Sequence, residues 1–180
     1  MALRLIPAPI DGTALAAETR RLLTSLAVLH ERLMSLAQLA VDKIAAMRRA
    51  DVAALDLLAT QEATELESLR SCEAEREAIL AAVAQQLPDC RGLQPRLADL
   101  AGLLPEPFAS QIRAKYEGLR SAARKLKEKN RLVADVAHGL HAHIRGVFAD
   151  LASANQETVV YGRTGRHDQR VTRSWVDAVG

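Results

Sequence analysis

The sequence predicts an all-α protein: an elongated antiparallel helical bundle, or coiled coil, of three long helices with a flexible C-terminal tail. Three observations predict it. Of the 180 residues, 49% are hydrophobic but only 3% aromatic, so Ala and Leu supply the apolar content, as in helices that pack on helices. Apolar residues recur in alternating steps of four and three over long stretches, which keeps them on one helical face. All 6 prolines fall outside those stretches.

Residues 1–10 carry two prolines and no periodicity, and read as a flexible lead-in. Residues 11–153 form the bundle. Its first helix follows Leu15, Thr19, Leu22, Leu26, Leu29, Leu33, Leu36 and Ala40 and runs to about Met47, with Asp11 or Thr13 as N-cap candidates. The second, Asp51 to Leu87, is rich in Ala, Leu, Glu and Gln without internal Gly or Pro. Asp51 suits an N-cap, which places a break near Arg48–Ala50, although a continuous helix is the other reading. Pro88 ends the helix. Between 93 and 107 the punctuation allows only a short helical turn around Leu97–Leu103. The third long helix, from about Glu106 to about Ala152, follows Ile112, Tyr116, Leu119, Ala123, Leu126, Asn130, Val133, Ala137, Leu140, Ile144, Val147 and Leu151. At 1.5 Å per residue this rod is on the order of 60 Å long, and one apolar stripe of that length requires packing partners. Leu26, Leu29, Leu33, Leu119, Leu126, Val133 and Leu140 are expected among the most buried residues. Residues 154–180 lack a helical face and read as a tail that is disordered in the free protein.

Charge comes in blocks. Asp51 to Glu77 holds eight acids against two bases, a balance of −6, and Arg113 to Arg131 holds eight bases against two acids, a balance of +6. Opposite blocks on successive long helices predict that those helices lie side by side with their seam edges paired. The formal net charge of +2 imposes no global field. The basic block reads as a solvated, partly paired helix face, since no aromatics are interleaved with it.

Chemistry-bearing constellations are few. Apolar runs are far short of the roughly 20 residues needed to cross a bilayer, and the first residues do not read as a secretory signal. Cys72 and Cys90 cannot make a disulfide framework and fit a reduced, cytoplasmic protein. His138 and His141 share a helix face whereas His143 points elsewhere. They lack the i, i+4 pair and nearby Glu of a zinc helix, and so read as residues flanking a bundle seam. Gly162-Arg163-Thr164-Gly165 has neither the Lys nor the preceding strand of a phosphate loop. No paired carboxylates or activated nucleophile stand out, so the reading is of no enzyme, no cofactor and no metal. Asn130 within the seam either sets register or reaches water where the seam frays.

Three segments carry a family resemblance. Met47-Arg48-Arg49-Ala50-Asp51-Val52-Ala53-Ala54-Leu55 precedes a glutamate-rich helix with Glu73-Ala74-Glu75-Arg76-Glu77-Ala78-Ile79-Leu80. Leu126-Lys127-Glu128-Lys129-Asn130-Arg131-Leu132-Val133 is similar to an L-N-x-x-N-x-x-L stretch, matching at Leu126 and Asn130 but with a Lys in place of the first Asn. Val160-Tyr161-Gly162-Arg163-Thr164-Gly165-Arg166 follows the last long helix as a Y-G-x-x-G segment. In order and spacing, from Leu15 to Arg166, this resembles the FlgN-like flagellar export chaperones. The proline-rich stretch Leu87–Pro107 and the Arg-rich tail with Trp175 depart from the family pattern.

The resemblance implies a cytoplasmic type III export chaperone. It would bind the helical termini of hook–filament junction proteins and deliver them to a component of the flagellar export gate. It also implies that the late helix and Tyr161-Gly162 make the contacts. The expected partner-binding residues are therefore Asn130, Val133, Leu140, Ile144, Val147, Leu151, Tyr161 and Gly162. Physics is compatible with this: a seam wider than its own helices cover leaves a groove for a partner helix. The alternatives are a self-associating coiled-coil scaffold or homo-oligomer and, less favoured, a nucleic-acid-associated helical protein.

Overall fold

The computed structural model describes residues 12–87, 90 and 96–156. The lead-in, Asp11, Pro88, and the tail from 157 on, with Tyr161, Gly162 and Trp175, lie outside the described residues, whereas 154–156, expected to open the tail, continue the last helix. Four helices make up the described chain: α1 (Gly12–Arg48), α2 (Val52–Gln86), α3 (Leu97–Leu103) and α4 (Phe108–Gln156). Three are long, at 37, 35 and 49 residues, and α3 is the short turn read between the prolines. No strand occurs among the described residues. The backbone divides between Ala134 and Asp135 into two compact units.

In the first unit, α1 and α2 form a helical hairpin whose turn is legible bond by bond. The Asp51 amide donates to the Ala46 carbonyl at 3.0 Å and the Ala50 amide to Met47 at 3.1 Å. Ala50 has φ 53°. This is the crossed pair of bonds that closes a helix through one left-handed residue, usually Gly and here Ala. Asp51 then opens α2, its carboxylate accepting from the Ala54 amide at 3.0 Å, and so satisfies one of the orphan donors of the helix start. The two helices are therefore separate. Thr13 lies inside α1 rather than capping it.

Packing follows the α1 seam closely. Leu15, Thr19, Leu22, Leu26, Leu29, Leu36 and Ala40 are buried, while Leu33 is half-buried. Thr19 is tolerated there because its hydroxyl donates to the Leu15 carbonyl at 2.7 Å, which leaves no orphan polar atom. A core cluster joins Leu15, Leu22 and Leu26 of α1 to Ile79, Val83 and Ala84 of α2. It also takes in Leu100 and Ala101 of α3 and Ala109 and Ile112 of α4, with Cys90 buried among them. Burial in α2 is confined to Ile79, Val83 and Ala84; from Val52 to Ala78 no residue is fully covered.

Two expectations are corrected here. The α2 acids find their interhelical partners on α1, through Arg32–Glu65 at 3.1 Å and Lys43–Glu62, rather than on the basic block. Those bases, Arg113 to Arg131, are exposed. Leu119, Leu126 and Val133 are only half-buried, like Leu33, and Leu140 is exposed. Periodicity identifies residues that share a face, but burial also needs a neighbouring helix to cover it. On α4 the full cover reaches Ala109, Ile112 and Ala122.

Candidate functional site: an uncovered apolar strip on α4

The described part of the second unit is the stretch of α4 from Asp135 to Gln156. Its Ala and Leu content favours helix, against two interior glycines, Gly139 and Gly146, each worth roughly 0.5–1 kcal/mol less than Ala. Leu140, Ile144, Val147, Phe148 and Leu151 are all large, apolar and exposed, at 39%, 44%, 44%, 67% and 60%. At about 100° per residue they fall within an arc of roughly 100° and span about 17 Å of helix. Scattered exposed hydrophobics are ordinary on a protein surface, but a contiguous helical strip of five signals a place for a partner.

The strip has a polar border. On the helical wheel His141 comes beside Phe148, and His143 and Asp150 come beside Val147; all three are exposed. His138 is exposed as well. Among the described residues no group of three or more His, Cys, Asp or Glu could hold a metal ion. Cys72 is half-buried and Cys90 buried, both as free thiols. What the strip can do chemically is bury area against a complementary surface, the work of helix-in-groove recognition.

Of the residues expected to bind a partner, Leu140, Ile144, Val147 and Leu151 come together on this strip. Asn130 and Val133 belong to the first unit. Asn130 is exposed, so it reaches water rather than sitting in a packed seam. Tyr161 and Gly162 lie outside the described residues. Phe148, the most exposed member, was missed because the strict four-three ladder passes through its neighbour Val147. Its position four residues after Ile144 was the available signal.

A family model described as FlgN protein matches residues 18–169. This chain belongs to the FlgN family. The match runs from the first turns of α1 to beyond the end of α4 and so takes in the whole strip. Membership in this chaperone family supports a flagellar chaperone that binds flagellar proteins. No curated protein and no solved structure matches the chain. No helix among the described residues is long and apolar enough to cross a membrane.

Proposed function

We propose that this FlgN-family chain is a cytoplasmic export chaperone for hook–filament junction proteins. It holds their helical termini on the α4 strip and delivers them to the flagellar export gate. The observation that carries this reading is the uncovered row Leu140, Ile144, Val147, Phe148 and Leu151 on a chain of a chaperone family. A secretion substrate with an amphipathic helical end needs its apolar face masked until export, and a strip of matching pitch masks it without catalysis. Tyr161 and Gly162 are assigned to the same contacts by resemblance.

The test is co-purification of hook–filament junction proteins with the full chain and with its Leu140→Glu, Ile144→Glu and Val147→Glu variants. Each charge would have to be desolvated against an apolar partner, so capture is expected to be lost while the fold persists. Undiminished capture by folded variants would move the site off the strip. Light scattering of the purified chain separates the reading from self-association: a homo-oligomer that the same substitutions dissolve would make the strip its own partner.

A further inference from the structure

We propose that a basic stripe on α4, in the first unit, is a separate docking surface that takes an acidic amphipathic helix of another protein. Arg113, Arg120, Arg124, Lys127 and Arg131 follow one another in steps of seven, four, three and four. At about 100° per residue these steps place all five within an arc of roughly 60°, along about 27 Å of helix. Every one of them is exposed. The remaining bases of the block, Lys115, Lys125 and Lys129, fall on other faces.

The three middle bases of the stripe are unspent within the fold, while Arg113 and Arg131 at its ends are engaged. Arg113 is engaged, pairing with Glu106 at 3.9 Å and donating to the Ala101 carbonyl at 3.5 Å. Arg120, Arg124 and Lys127 make no ion pair among the described residues. Glu117 lies three residues from Arg120, and Glu128 four from Arg124, yet neither closes on its neighbour. Like charges stacked at these spacings repel, and an opposing row of carboxylates would relieve that repulsion.

Geometry favours a helix as the occupant. Two helices lying side by side share the same rise, so acids spaced i, i+4 and i+7 meet Arg120, Arg124 and Lys127 turn for turn. The guanidinium forks of Arg120 and Arg124 suit carboxylates bidentately. Glu117 and Glu128 border one edge of the stripe. A phosphate backbone, negative throughout, would meet them, whereas a helix of mixed charge can set a Lys or Arg opposite. The one aromatic between Arg113 and Arg131, Tyr116, is half-buried, so among the described residues the stripe offers stacking bases no row of exposed rings.

The experiment uses the full chain and two labelled probes. One is a helical peptide with Glu at i, i+4, i+7 and i+11 and Lys along one flank, and the other is an oligothymidylate of similar length. Two variants carry the same change in charge: Arg120→Gln/Arg124→Gln/Lys127→Gln on the stripe, and Lys115→Gln/Lys125→Gln/Lys129→Gln off it. Gln keeps the helix propensity of Arg and Lys, and circular dichroism checks that both variants remain folded. The stripe variant is expected to bind the peptide about tenfold more weakly, and the off-stripe variant within about twofold of the parent. No binding of the peptide by the parent, an unchanged stripe variant, or equal losses in both variants would overturn the proposal. So would tighter binding of the oligothymidylate that the stripe variant alone loses, since that would assign the stripe to nucleic acid.

Discussion

Replacing Phe148 by Ala separates a docking residue from a structural one. Phe148 is 67% exposed. A phenylalanine buries about 200 Å² when covered, so a partner that closes over the exposed two thirds removes roughly 130 Å² from water. At about 25 cal/mol per Å² that is about 3 kcal/mol, and Ala would retain roughly a third of it. The expected loss in binding is thus about 2 kcal/mol, or roughly 30-fold in Kd. The covered third of the ring is about 70 Å² and Ala keeps roughly a third of its contribution, so the substitution costs the fold about 1 kcal/mol and Tm should fall by no more than about 3 °C. Titration calorimetry with a purified hook–filament junction protein, alongside thermal melts of parent and variant, reads both quantities. A fall in Tm well beyond that would place Phe148 in a packed interface of the fold. Unchanged affinity at unchanged Tm would refute the role of the strip.

Other outcomes follow from the packing and the turns. Leu22→Ala, at a position with 0% exposure, should cost about 3–5 kcal/mol in chemical denaturation, whereas Leu126→Ala, half-buried, should cost about 1 kcal/mol. Ala50→Gly should raise stability by about 0.5–1 kcal/mol in the same assay, because φ 53° strains any side chain. Ser110, through its hydroxyl foremost and then its amide, with Arg113 adding charge, holds the Glu106 carboxyl below its ordinary value of 4.5. A lowered folded value means that this contribution is present above pH 4.5 and is lost as pH falls below it. Glu106→Gln should therefore flatten the acid limb of a Tm-against-pH series, and an identical limb in parent and variant would remove Glu106 from the account.

The parts of the fold legible in the sequence are those that local rules govern. The α1 seam, the Asp51 cap, the break before it and the short turn at Leu97–Leu103 each rest on spacing, side-chain hydrogen bonding or proline. What a helix packs against is not local. Leu126 and Leu140 obey the same ladder as Leu22, yet one is half-covered and one exposed, because cover depends on where the neighbouring helices run. The acidic block met α1 rather than the basic block for the same reason: like-for-opposite matching by sequence order ignores Arg32 and Lys43, which were closer to hand. Of the candidate site, four residues were legible from the ladder. Phe148 was not, since a ladder records only one residue per turn while a docking strip can be two wide.

The uneven burial within the hairpin sets how freely its two helices can vary. α1 keeps covered side chains from Leu15 to Ala46, so a random substitution along it often meets a packed neighbour and costs kilocalories. Along Val52–Ala78 of α2 no side chain is fully enclosed, and most exchanges there would cost only tenths, provided the residue still favours helix. In a saturation library selected for folding, α1 would return a narrow alphabet at every third or fourth position. The first three quarters of α2 would return a broad one, limited chiefly by the exclusion of Pro and Gly, and could drift in sequence while the backbone stays where it is.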